Sequence, residues 1–397
     1  MDYKNLFIIL YVFGKSKAFS FIGQLYLSEI LCIIALLFLD VKAIIREYKS
    51  LKIVLFCLTL FLFNLMLSDF INDSDSEDYL RGWSLVLFSM AITLVLVANF
   101  RNNDNAIFFF LVTSIIVNIF ITGDPIDLGV LQEETNYFKS RVVSFLNPAV
   151  MLLSLYFWKK NKIKVVFYLF LAYTALSFIF DARSNGIIYF ISLVLLLIKV
   201  SNYKLKSSEK LFLFISILVV FYSFYVIYIY QILNYGFGGT NSKVQVAMMS
   251  NPYNPFELLY YGRTDFVALY NAIADNPFTG YGSWGKDKLG LYSVNYVLGQ
   301  SSLSTDLTYI SPHSVILASW VWSGALGCIS IAYMYFRLFK MVIQIYSRES
   351  MSQYLPIILI LSIDMLWAFF FSPIGLLRST FPIFASIIIV EYNKEDF

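Results

Sequence analysis

The chain holds one histidine, His313, in the run Ser311-Pro312-His313-Ser314. An imidazole titrates near pH 6.5, which makes histidine the usual general base at neutral pH. The same residue also suits an idle, hydrogen-bonded place at a helix start. Five arginines, Arg81, Arg141, Arg183, Arg263 and Arg378, stand at or near the ends of apolar runs. A guanidinium stays charged and binds phosphate oxygens bidentately, so a cluster of them suits an anionic lipid head group such as a pyrophosphate. Each can instead snorkel or pair with a nearby acid such as Asp181 or Asp265. Asp364 and Glu29 lie inside apolar runs. A carboxylate at the centre of a spanning helix costs roughly 2.5–3.5 kcal/mol on insertion scales, so it normally has a partner or a role. The run Gly280-Tyr281-Gly282-Ser283-Trp284-Gly285 fits a tight turn as well as a phosphate cradle, and no strand-to-helix context marks a nucleotide fingerprint. Cys32, Cys57 and Cys328 all fall in apolar runs, as packing residues would. With one histidine and no loop cysteine, no metal site and no cofactor is expected.

These residues must be positioned by a chain that is 59% hydrophobic and 14% charged. A soluble domain carries roughly 25% charged residues. A bilayer hides such apolar surface if each spanning helix supplies about 20 residues. The apolar runs are continuous rather than alternating, which points to helices and away from a barrel. The net charge of +3 gives no case for nucleic acid. The expected fold is all-α, a polytopic transmembrane helical bundle of eleven or twelve spans. Spans are placed near 18–39, 51–68, 80–99, 105–122, 142–158, 163–180, 183–200, 210–232, 313–336, 354–373 and 375–391. Residues 5–17 are read as a retained short first span, half-span or interfacial piece, not a signal peptide.

Basic residues set the orientation. Alternate short connections carry 17 of the 29 lysines and arginines, among them Lys42, Arg46, Lys49 and Lys52, then Arg101, Lys159 and Lys160, Lys199, Arg337 and Lys394. Those connections are assigned to the cytoplasm. The chain then divides into membrane helices 1–232, a large extracytoplasmic loop 233–312, and membrane helices 313–397. A loop of that length is usually functional or disordered. This one keeps helix signals: Asn254-Pro255 as a cap and first-turn pair, and a second helix from Thr264 or Asp265 to Asp275, stopped by Asn276-Pro277.

Four motifs in order carry a resemblance. They are Asp181-Ala182-Arg183-Ser184-Asn185-Gly186, Gly262-Arg263-Thr264-Asp265 leading into Asn276-Pro277-Phe278-Thr279-Gly280, then Ser311-Pro312-His313-Ser314 with Gly324 and Gly327, and Leu377-Arg378-Ser379-Thr380. From about residue 180 to 382 the series resembles the bacterial O-antigen polymerase and O-antigen ligase superfamily of membrane glycosyltransferases. The first half matches in hydropathy alone. The resemblance implies an inner-membrane enzyme with its loop in the periplasm and an undecaprenyl-pyrophosphate-linked oligosaccharide as donor. A sugar hydroxyl attacks the anomeric carbon and lipid pyrophosphate leaves, without nucleotide sugar or metal. By position, His313, Arg183 and Arg263 take the catalytic roles and Arg378 matches a further family arginine. Arg141, Asp265 and Asp364 join Arg378 as expected substrate-binding residues. Ser314, Val315 and Ile316 follow the histidine where ligases often carry asparagine and then an acid, which favours the polymerase and leaves Asp265 or Asp181 open as a base. The resemblance leaves room for a polysaccharide chain-length regulator as partner. A ligase, a flippase for the same lipid-linked oligosaccharide and a non-catalytic scaffold remain alternatives.

Overall fold

Long apolar runs can satisfy their backbone groups within a single segment only as helices. Helices dominate the computed structural model, which describes residues 2–21, 23–121, 138–180, 182–201, 207–236, 240–257, 264–287, 290–292, 308–310 and 313–394. In chain order they are α1 (Tyr3–Gly14), α2 (Leu27–Leu36), α3 (Val41–Glu47), α4 (Lys49–Asn72), α5 (Ser76–Phe100), α6 (Ala106–Phe120), α7 (Val143–Lys159), α8 (Ile163–Ile179) and α9 (Arg183–Val200). Then come α10 (Ser207–Tyr235), α11 (Thr240–Met248), α12 (Thr264–Asp275), α13 (Val315–Ser347), α14 (Leu355–Phe371), α15 (Leu376–Ser379) and α16 (Phe381–Asn393). Two small antiparallel pairs join them: β1 (Ala18–Phe21) with β2 (Gly23–Tyr26), and β3 (Lys286–Asp287) with β4 (Thr308–Tyr309). Among the described residues, α4, α5, α9 and α13 are long and apolar enough to cross a membrane.

The packing has two parts. Trp322, Phe61, Phe381 and Phe384 are buried where α4, α5, α13, α14 and α16 meet. A second cluster joins α7, α8 and α9 to α14 through Phe170, Tyr189, Leu196 and Leu359. Pro148 stands inside α7 and has no N–H to give the carbonyl four residues back. Asn118 Nδ2 supplies that bond instead, reaching Ser144 O at 2.7 Å.

Two expected spans take another form. Residues 18–39 do not make one helix. Gly23, at φ 80°, turns the chain between β1 and β2, and α2 starts only at Leu27. There Glu29 Oε2 accepts the Tyr26 N–H at 2.8 Å, the reciprocal half of a capping box. The last expected span opens as the one-turn α15 and becomes continuous only at Phe381.

The helix after the loop also departs from regularity. At 33 residues α13 is long, but Gly324 breaks it with φ 70° and ψ −173°, a backbone region essentially reserved for glycine. The break frees the carbonyls of Val321 and Trp322 and the N–H of Ala325. Tyr281 N donates to Val321 O at 2.7 Å, Gly282 N to Trp322 O at 3.1 Å, and Ala325 N to Pro277 O at 2.9 Å. Loop residues 277–282 thus replace the missing helical bonds. A Cβ on Gly324 would stand 1.8 Å from Phe278 O, so nothing larger fits.

Candidate functional site

Segment 276–285, the strap, is fixed on both sides. On one side it fills the break in α13. On the other it meets the end of α4. Ser283 gives its backbone N–H to Asp69 Oδ1 at 2.6 Å and its hydroxyl to Asp69 Oδ2 at 2.8 Å. Trp83 Nε1 of α5 gives the same carboxylate a third bond, at 2.8 Å. Gly282 N also reaches Ser68 Oγ at 2.9 Å, and Asn72 Nδ2 reaches Gly280 O at 3.1 Å. The glycine-rich turn is therefore a docking element, because the amides of Gly282 and Ser283 are occupied by protein acceptors.

The strap then leads back to the histidine. Gly285 O accepts the Ile310 N–H at 2.9 Å, and β3 pairs with β4. Lys286 bonds to Asp75 and lies 3.2 Å from Asp78 Oδ2. Those contacts raise the lysine pKa, the Asp75 bond most of all. Burial and then Asp78 raise the Tyr309 phenol. Three residues past Ile310 comes His313, whose side chain is exposed. Ser314 follows as the N-cap of α13. Its Oγ accepts from Leu317 N at 3.3 Å and donates to Phe369 O of α14 at 3.4 Å. Phe266 of α12 stacks on Phe371, with ring centroids 5.7 Å apart. The start of α12, the histidine and the end of α14 thus lie together.

Arg183 opens α9, and its guanidinium lies 5.4 Å from the centroid of the Tyr228 ring of α10. The other end of α9 is tied to the end of α13, opposite His313, since Lys199 Nζ donates to Arg348 O just past Ser347. Arg183 therefore faces the same end of the fold as Phe371 and His313. Arg141 is there too. Its guanidinium reaches Ile119 O at 3.2 Å, and Phe138 beside it stacks on Phe180 at 4.5 Å. Below Arg183, Asn147 accepts from Tyr173 Oη at 2.6 Å and meets Asn185 at 3.3 Å. Asp364 sits midway along α14 and is half-buried. The Tyr335 hydroxyl is buried without a hydrogen-bond partner among the described residues.

Arg378 belongs to a different cluster. It forms a bidentate pair with Glu29, through Nε and through an Nη2 contact of 2.5 Å to Oε2. It also donates to Gln24 O at 2.7 Å and lies over the Tyr26 and Phe88 rings. Of the remaining expected residues, Arg263 and Asp181 lie outside the described residues, as does the Asp265 side chain within α12.

The opposite end of the fold gathers the basic connections. Arg101 pairs with Glu47 at 2.7 Å, Lys4 donates to Arg101 O at 2.9 Å, and Arg348 caps α16 at Glu391 O, 3.0 Å away. A cavity of about 290 Å³ opens there between Lys4, Asp40, Asn99 and Arg101, remote from His313.

Asp69, Ser283 and the Lys286–Asp75–Asp78 group did not stand out in the sequence. The available signal was Asp69 itself, a carboxylate one turn before the end of an apolar helix. Compared with family models, curated proteins and solved structures, the chain matches none of them.

Proposed function

We propose that the chain is a polytopic membrane glycosyltransferase that lengthens a surface polysaccharide from undecaprenyl-pyrophosphate-linked oligosaccharides, as an O-antigen polymerase does. The observation that carries this reading is the gathering of Arg141, Arg183, His313 and the start of α12 at one end, under a docked loop, with the lysine-rich connections at the other. In this reading the lysine-rich end is cytoplasmic and the His313 end faces the periplasm across the bacterial inner membrane. Its spans are α4, α5, α9 and α13, helped by the shorter apolar helices.

In the reaction, an acceptor sugar hydroxyl forms a bond to the anomeric carbon of the donor. The bond from that carbon to the pyrophosphate oxygen breaks, and lipid pyrophosphate departs. The hydroxyl proton passes to His313 as base. Arg183 and Arg263 stabilise the charge growing on the pyrophosphate. Arg378 is held by Glu29, so its part is to shape the outer face, with Arg141 the better placed of the two for anionic substrate. A flippase would present broken helix ends to its cargo. Here the broken ends of α13 are occupied by the strap, which favours chemistry over transport.

The test is a lipopolysaccharide gel from cells lacking the protein beside cells carrying His313→Ala, Arg183→Ala or Arg263→Ala at normal membrane level. Loss of the ladder with one repeat still on the core supports a polymerase. Loss of every attached repeat with lipid-linked polymer accumulating means a ligase, and unchanged ladders from all three variants exclude both. Orientation is tested separately: a cysteine at Phe278 should label from outside and one at Lys160 only from inside.

A further inference from the structure

We propose that Asp69 is a positioning residue for His313, although the two side chains belong to distant parts of the sequence. This rests on the polymerase reading for its consequence in turnover, but not for the mechanical link itself. The link runs through named contacts. Asp69 is 3% exposed and takes three donors: the N–H and hydroxyl of Ser283 and the indole N–H of Trp83. Two residues beyond Ser283, Gly285 O takes the N–H of Ile310 at 2.9 Å. His313 follows three residues later, directly before the cap residue Ser314. A Cβ on Gly282 would stand 2.7 Å from Asp69 Oδ1, and one on Gly82 2.1 Å from Ser283 Oγ. The strap is seated too closely to shift while the carboxylate holds it.

Without Asp69, the strap keeps its bonds in the α13 break and those of Gly280 and Gly282 to Asn72 and Ser68, but Ser283 loses its anchor on α4 and, through Trp83, its tie to α5. Its outgoing arm to Ile310 and His313 then moves against Phe369 and the start of α12. Displacing a reacting group by about 1 Å costs on the order of 100-fold in rate. Asp69 itself touches no reacting atom in this scheme.

The single histidine makes the test direct. Protein labelled with 13C at histidine Cε1 gives one resonance, from His313. Asp69→Ala should move or split that resonance. In liposomes with lipid-linked oligosaccharide it should lower kcat for chain lengthening tenfold or more, with KM changed less than threefold. Glu77→Gln, which removes an exposed carboxylate of the same helical hairpin, should leave both unchanged. If Asp69→Ala does not fold, Ser283→Ala decides, with the same resonance change and a roughly threefold lower kcat expected for one of three donors lost. A folded variant with an unmoved resonance and kcat within twofold of wild type overturns the proposal. If wild type makes no polymer at all, the polymerase reading fails and the resonance alone decides the link.

Discussion

Glu29 and Asp69 are both nearly sealed from solvent, at 1% and 3% exposure, and stand at the same end of the bundle. The fold treats them differently. Glu29 faces a guanidinium that is itself only 19% exposed, and the pair meets in bidentate geometry. Asp69 has no cation against it in the contacts that hold it. Two N–H groups and one hydroxyl surround it instead. The first arrangement is a neutral pair whose halves depend on each other. The second is a charge stabilised by oriented neutral donors, which tolerates loss of one donor better. Asp364 makes a third case, a half-buried carboxylate midway along α14.

The sharpest way to break this comparison is Arg378→Ala. It strands the Glu29 charge, and breaking a buried pair by removing one partner costs about 3–5 kcal/mol. Unfolding in a graded detergent or denaturant series should show a loss of that size. Replacing both partners together, Arg378→Met with Glu29→Leu, should recover most of it, since a well-packed apolar pair is often neutral relative to a buried ion pair. A loss below about 1 kcal/mol for Arg378→Ala would mean that Glu29 is solvated in the native protein.

Gly324→Ala comes next. The new methyl meets Phe278 O at 1.8 Å in a backbone conformation unsuited to alanine. Forced φ/ψ alone costs about 1–3 kcal/mol. The expected result is strap release: rapid proteolysis at 276–285 while the helix content of the remainder stays within a few per cent. Unchanged protease resistance would show that α13 closes over the break and does not need the strap. Ser283→Ala is milder. It removes one of three donors from Asp69 and keeps the backbone bond, so about 1–2 kcal/mol is expected in the same unfolding series. A larger loss than Arg378→Ala would reverse the ranking that the two carboxylates imply.

Much of the helical frame was legible, because continuous apolar runs leave the backbone no alternative. The expected span at 183–200 and the loop helix ending at Asp275 form at those residues. Hydropathy failed where polar detail outranks the average. Across 18–39 the apolar mean hides Gly23 and the Tyr26–Glu29 cap, which together make a hairpin and delay the helix. Gly324 was visible as a glycine in an apolar run, but its role depends on Phe278, 46 positions earlier in the chain. That Arg183 and His313 share one end of the fold is likewise a property of packing, set by α9 lying antiparallel to α14. The same holds for Asp69, whose donors come from α5 and the strap. No spacing along one segment encodes such a set.

The smallest expected effect concerns the second attachment of the loop. Lys286 bonds to Asp75 and Asp78, but Asp75 is 68% exposed, so Lys286→Met should cost no more than about 1 kcal/mol. Its pH dependence has a definite sign. The native contacts raise the Lys286 pKa, and burial with Asp78 raises that of Tyr309. A group that holds its proton more tightly when folded stabilises the fold below its unfolded pKa, about 10.4 for lysine and 10 for tyrosine. That contribution disappears as pH rises through the higher folded value. The neutral donors around Asp69 do not titrate in this range, and the α13 break is closed by backbone bonds. Proteolysis near Lys286 should therefore be flat from about pH 6 to 9 and accelerate above about pH 10, before the strap itself yields. Acceleration already near neutral pH would make the Lys286 contacts incidental to the attachment of the loop.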